Sequence, residues 1–180
     1  INDLIDRMGG ITRQLKSYAR KGDVDFEEFD LRESVRAAVS MMSPQLGKIS
    51  IDVNTTLPSE PVMVQADPLR IEQIIVNLLR NAIDAVSGLD ERRIRILLVE
   101  GETVLLSVTD NGPGLRDPDK LFEPFYTTKK PGEGLGLGLA ISAGFVAEMG
   151  GRLIASNAGD GGAVFELILP RAQDVRKAAE

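Results

Sequence analysis

Asn77, Asn81 and Asp84 stand at i, i+4 and i+7 of an apolar-periodic stretch, so on a helix they share one line along its length. Around them Ile71, Ile74, Ile75, Leu78, Leu79, Ala82, Ile83 and Val86 make a broad apolar surface. Two asparagines on so hydrophobic a helix are costly unless they face a polar site. Their amide oxygens are neutral ligands suited to a hard cation held beside phosphate. A solvent-facing stripe would carry the same residues, so the stripe alone decides nothing.

Three more segments bear on chemistry. Thr109-Asp110-Asn111-Gly112-Pro113-Gly114-Leu115 follows directly on a strand pattern. A carboxylate there can accept from an exocyclic amine such as adenine N6, and Gly112 and Gly114 allow close approach to a flat ring; a plain Asp-Asn-Gly turn has the same composition. The run Gly132-Glu133-Gly134-Leu135-Gly136-Leu137-Gly138-Leu139 leads from a loop into a helix. Backbone N–H groups without side chains at a helix N-terminus offer a phosphate site, yet the spacing matches neither the G-x-x-x-x-G-K-[ST] nor the G-x-G-x-x-G pattern. Between the two lies Leu121-Phe122-Glu123-Pro124-Phe125-Tyr126-Thr127-Thr128-Lys129-Lys130. Its three aromatics suit a lid, and Lys129 or Lys130 could neutralise phosphate; an aromatic plug on a surface loop with two solvated lysines has the same composition.

These residues need elements to hold them. Asp67-Pro68 opens a long helix to about Ser87, with Asp as cap and Pro in the first turn. Asp30 caps an earlier helix running to about Leu46; Ile49, Ile51 and Val53 alternate as a strand, and Val62–Gln65 forms another. Arg93–Val99 and Thr103–Thr109 pair as a hairpin around Glu100-Gly101-Glu102, and Gly136–Met149 is a helix ending at Gly150-Gly151. Arg152–Ser156 and Ala163–Leu169 close the domain. Residues 1–20 carry apolar positions at alternating spacings of three and four, which suits either a seam for packing on another helix or an ordinary amphipathic helix lying on its own domain. The domains expected are a helix over 1–21, a polar linker over 22–30, an α/β domain over 31–170 and a polar tail over 171–180.

The 180 residues are 43% hydrophobic and 27% charged, the balance of a globular domain. No apolar run is long enough to cross a bilayer, which argues against membrane contact by these residues. A net charge of −6 argues against a nucleic-acid face. With neither Cys nor His in the sequence, disulfides, thiolate centres, imidazole-ligated zinc and Ser–His–Asp triads are unavailable. A metal here would be a hard cation on oxygen, with Mg²⁺ the candidate. The sequence opens inside a helical pattern and reads as part of a longer chain.

Taken in order, the segments resemble the nucleotide-binding boxes of the GHKL superfamily, and in particular bacterial sensor histidine kinases. Asn77-Leu-Leu-Arg-Asn81-Ala resembles the N box, Asp110-Asn-Gly-Pro-Gly114 the G1 box and Phe122-Glu-Pro-Phe125 the F box. Gly134-Leu-Gly136-Leu-Gly138 resembles the G2 box, and Gly161-Gly162-Ala-Val-Phe165 the G3 region. The Phe-Tyr-Thr-Thr-Lys wording is similar to the nitrogen-regulation and four-carbon-dicarboxylate transport sensor branch.

The resemblance implies an α+β fold, a two-layer sandwich of three helices on a mixed five-stranded sheet, binding ATP under a mobile lid. Asn81 would ligate Mg²⁺, and Asn77 and Lys129 would act at the triphosphate. Asp110 would bind the adenine amine beside Gly112 and Gly114. Phe122 and Phe125 would anchor the lid, Lys130 could share the phosphate contact, and Gly134, Gly136 and Gly138 would line the phosphates. Asp84, Thr128, Leu135 and Leu137 complete the site so drawn. The implied partners are a histidine-bearing dimerisation helix, of which residues 1–21 resemble the second half, a response regulator and a second copy of the chain. The implied location is the cytoplasmic side of an inner-membrane sensor. Many relatives have a hydroxyl residue where this chain has Ala163, which leaves base recognition leaning on Asp110.

Related chaperone and mismatch-repair ATPases have a carboxylate at the place of Asn77 to activate water. An amide accepts no proton near pH 7. Glu72, five residues back, points roughly 140° away around the helix at about 100° per residue. The residues therefore favour transfer of the γ-phosphoryl group over hydrolysis; the alternatives are a weak ATPase or a nucleotide-sensing module without kinase activity.

Overall fold

The structure, a computed structural model, describes residues 24–129 and 135–174. The expected helix over 1–21, Lys130, Gly134 and the end of the polar tail lie outside the described residues. The order is β1 (Glu27–Asp30), α1 (Leu31–Lys48), β2 (Asp52–Thr56), β3 (Met63–Ala66), α2 (Pro68–Val86), β4 (Arg93–Glu100), β5 (Val104–Asp110), a 3₁₀ turn at Pro118–Lys120, α3 (Gly138–Glu148), β6 (Arg152–Asn157) and β7 (Ala163–Leu169).

Five strands form one mixed sheet in the order β2-β4-β5-β7-β6, parallel only between β2 and β4. Their alternation sets the core. Ile94, Ile96 and Leu98 of β4, Val104, Leu106 and Val108 of β5, and Phe165, Leu167 and Leu169 of β7 are all buried on the helix-covered face. α2 packs on β4 and β5, α3 on β6, and α1 against α2. Together these make the two-layer α+β sandwich that the family resemblance implies. α2 buries Ile71, Ile74, Ile75, Leu78, Leu79, Ala82, Ile83 and Val86, the full stripe expected of it.

Asp67 caps α2 by accepting from the Arg70 amide at 3.1 Å. Arg70 then reaches back to Asp67 at 3.2 Å, pairs with Glu148 at the end of α3, and stacks 4.6 Å from the centroid of Phe145. One guanidinium thus fixes the start of α2 to the end of α3.

α1 runs past the expected Leu46 to Lys48 and passes through Pro44. Proline leaves the carbonyl of residue 40 without its helical donor. The Ser43 hydroxyl donates to that carbonyl at 2.8 Å. The strand anticipated at Ile49–Val53 begins instead at Asp52, because Ile49 is the C-cap of α1 and Ser50 turns the chain at φ 50. Ile49 and Ile51 still pack on the core as loop residues.

Residues 27–30, inside the segment expected as linker, form β1 and pair antiparallel with β3. Asp30 ends that strand and caps α1. Burial alone would raise its carboxyl; hydrogen bonds from the Arg32 side chain and from the Val62 and Arg32 amides, with the Arg32 charge, outweigh it and hold the group below the usual carboxylate range.

Candidate functional site

The residues singled out on α2, after β5 and before α3 line one cleft of about 710 Å³. That volume is within the range that encloses a mononucleotide-sized ligand. Its walls come from α2 (Asn77, Arg80, Asn81, Asp84), the end of β5 with Pro113–Leu115, the loop at Leu121 and Tyr126–Lys129, and Leu135–Leu139 at the start of α3.

Asp110 closes the inner end. It continues the Val104, Leu106, Val108 phase of β5 and so points to the helix side, where it is 3% exposed. Its Oδ1 accepts from the Gly112 amide at 2.8 Å and the Ala163 amide at 3.3 Å. Among the described residues no donor meets Oδ2, which leaves one oxygen for a ligand. Burial raises this carboxyl above the ordinary 3.8, and the two amides only partly offset that cost. An acceptor held at the apolar end of a cleft, with its other oxygen tied to backbone, suits an amine on a flat ring.

At the opposite end Asn77 donates from Nδ2 to the Ser142 hydroxyl at 3.1 Å. Ser142 is 4% exposed on α3, so this bond orients the amide and leaves its Oδ1 beside Gly138. A Cβ at Gly138 would stand 2.6 Å from that oxygen, so the helix start approaches α2 this closely only without a side chain. Gly136 turns at φ 67 and accepts from the Phe125 amide at 3.1 Å, and a Cβ there would collide with the Tyr126 carbonyl. The helix expected from Gly136 therefore starts at Gly138. Lys129 pairs with Asp84 and lies 3.5 Å from Asn81 Oδ1.

A family model described as histidine kinase-, DNA gyrase B-, and HSP90-like ATPase matches residues 66–173. The catalytic domain of histidine kinase ThkA superposes with a TM-score of 0.73 at 32% identity, covering 82% of this chain and 98% of that one. This chain belongs to that ATPase family, as a histidine kinase catalytic domain. ThkA in complex with the response regulator protein TrrA is similar to the kinase domain with a TM-score of 0.79 at 28% identity, over 96% of this chain and 50% of that one. The C4-dicarboxylate transport sensor protein DctB of Pseudomonas aeruginosa is 38% identical over 174 residues. The match takes in 94% of the kinase domain here but spans only 28% of the length of that relative.

Within the kinase domain, Asn77, Asn81, Asp84, Asp110, Gly114, Thr128, Lys129, Leu135, Gly136, Leu137 and Gly138 all line the cleft, as anticipated. Three others do not. Gly112 lies behind the wall, where its amide positions Asp110 and a Cβ would meet Ala85 at 2.9 Å. Phe122 is half-buried and Phe125 is 72% exposed, and neither ring reaches the cleft. The loop is fixed at this point by backbone: Phe125 sits at φ 69 and donates its amide to Gly136, while Leu121 and Tyr126 supply the lining.

Arg80 and Ser142 go unmarked in the sequence, and Tyr126 is marked there only as one of three lid aromatics. Arg80 stands between the two asparagines at i+3, a signal that was available. Tyr126 donates its hydroxyl to Asp117 at 3.0 Å, which sets the loop against the 3₁₀ turn. Asn157 likewise grips the Leu115 backbone, accepting at 2.6 Å and donating at 3.1 Å. These long-range partners have no sequence signature.

Proposed function

We propose that this domain binds Mg²⁺·ATP in the cleft between α2, the end of β5 and α3, and passes the γ-phosphoryl group to a histidine on a dimerisation helix of the longer chain. The observation that carries the adenine part is the free Oδ2 of Asp110, an acceptor at the inner end of a cleft whose outer end holds amides and cations. Gly138, packed without a side chain against the oriented Asn77, offers its backbone N–H at the start of α3 to a phosphate.

The donor set fits a magnesium ion. Asn81 Oδ1 and Asp84 offer oxygen to a positive charge, and the Lys129 ammonium stands in for one. Asn81 would hold the ion, whose role when bound is to neutralise the phosphates. The protein's own part is positioning: Asp110 sets the base, Asn77 and the Leu135–Gly138 backbone set the phosphates, and Arg80 and Lys129 add positive charge. In the transfer a nitrogen–phosphorus bond forms as the bond from the γ-phosphorus to the bridging oxygen breaks. Asn77 itself is an amide, which accepts no proton from water near pH 7, and this favours transfer over hydrolysis.

The acceptor must come from outside these residues, since the sequence has no His. We place the domain on the cytoplasmic side of a sensor that works as a homodimer and hands its phosphoryl group to a response regulator. The histidine kinase ThkA in complex with the response regulator protein TrrA, a structure similar to this domain, supports that partner. Titration of Mg²⁺·ADP into wild type and Asp110→Ala tests the site, with saturable binding expected only for wild type. Mixing the domain with a histidine-bearing dimerisation hairpin and γ-labelled ATP tests transfer. Label on this chain alone, or equal ADP binding by both proteins, would refute the proposal.

A further inference from the structure

Lys129 lies on the loop that forms one wall of the cleft, and its ammonium is already committed. It forms an ion pair with Asp84 Oδ2 and lies 3.5 Å from Asn81 Oδ1. Asn81 and Asp84 are three residues apart on α2, so their oxygens come from neighbouring positions on one helix face. Arg80 offers Asp84 a partner at i+4 on the same helix. Asp84 instead takes the cation from across the cleft, which ties the loop to α2. The two side chains are 34% and 48% exposed, so the pair is weak enough to exchange.

One carboxylate oxygen and one amide oxygen turned together toward a positive charge are the protein half of a magnesium shell completed by phosphate and water. Among the described residues no group of three or more His, Cys, Asp or Glu side chains offers an alternative. Resting on the function proposed above, we infer that Asn81 and Asp84 together form the cation site, and that the Lys129 ammonium and Mg²⁺ hold it by turns. Two positive charges brought to the same carboxylate and amide repel each other, so the cations compete for these oxygens. Metal arriving with nucleotide displaces the ammonium, releases the Tyr126–Lys129 segment from α2, and frees the lysine charge for the γ-phosphate, a group that ADP lacks. Metal binding and the position of this loop are therefore one coupled event.

The test is calorimetric titration of ADP with Mg²⁺ and with a chelator, giving for each protein the ratio of metal-free to metal-bound Kd. Lys129→Met removes the competitor, so its ratio should rise about two- to fivefold over wild type, the scale of a half-exposed ion pair. Asp84→Asn should move the other way, toward a ratio of one. A Lys129→Met ratio equal to or below that of wild type overturns the competition. An Asp84→Asn ratio that rises with that of Lys129→Met overturns Asp84 as a ligand and leaves it as a tether only. Should wild type bind no ADP with or without metal, the proposed nucleotide site fails and this inference fails with it; binding with unchanged ratios defeats this inference alone.

Discussion

Replacing Asp110 by Asn separates its role in the fold from its role in binding. The two amides that hold the carboxylate both go to Oδ1, at 2.8 and 3.3 Å, and an asparagine oxygen can keep both. What changes is Oδ2, the oxygen facing the ligand, which becomes an NH₂ donor. A hydrogen bond to a charged acceptor contributes about 1.5–3 kcal/mol, and two donors left facing each other in a buried site add a further penalty of about 1–3 kcal/mol. Together these predict nucleotide binding weaker by at least about 100-fold. The fold should not suffer. Because burial raises the folded carboxyl above its ordinary value, the stability Asp110 contributes is complete below pH 3.8 and is lost as pH rises through the raised value. Asp110→Asn escapes that loss, so its melting temperature should match wild type in acid and equal or exceed it at neutral pH. Wild-type ADP affinity should fall in acid as the protonated carboxyl turns donor. Calorimetry with Mg²⁺·ADP and thermal melts across pH check all three. An Asp110→Asn domain that binds ADP within about threefold of wild type, or that melts well below it at neutral pH, would refute the reasoning.

Gly138→Ala should keep the fold and weaken nucleotide binding more than about tenfold, because its Cβ meets Asn77 Oδ1 at 2.6 Å; parallel melts and ADP titrations check this. Ser142→Ala leaves the Asn77 amide without its partner and should cost about 1 kcal/mol by urea unfolding, with a larger loss in phosphoryl transfer to a supplied histidine hairpin than in ADP affinity. Arg70→Met breaks the link between α2 and α3 and should lower the melting temperature by about 2–8 °C, for a loss of about 1–2 kcal/mol in a domain of this size, with ADP affinity unchanged. Asp30→Asn removes a depressed carboxyl, whose stabilisation is present above the ordinary pKa and lost as pH falls through its lowered one; the stability gap to wild type, followed by acid titration of the melting temperature, should be open at pH 7 and close in acid.

What the sequence announces well is whatever repeats or punctuates. The apolar period of α2 marks the helix and, by the residues that break it, the faces of Asn77, Asn81 and Asp84. The Gly-Leu ladder marks a backbone that must come close to something, and the distances at Gly136 and Gly138 say to what. β1 is hidden because Glu27, Glu28, Phe29 and Asp30 carry no alternation, and the strand exists only by pairing with β3. The F-box resemblance points to the rings of Phe122 and Phe125, yet at Phe125 the left-handed backbone turns an amide, not a ring, toward Gly136. Ser142 joins Asn77 across 65 positions of sequence, a relation that only the packing of α3 on α2 creates.

The parallel pairing of β2 with β4 has a practical consequence. The family match begins at residue 66, after β1, α1, β2 and all but the last residue of β3. A polypeptide started there would leave β4 as a raw sheet edge and would strip from α2 the cover of Leu31, Val35, Ala38, Met42 and Leu46. Exposed edge hydrogen bonds beside a bare apolar helix invite self-association. Expression of this domain should therefore begin no later than β1, and a shorter version should collect in the insoluble fraction however complete its nucleotide motifs.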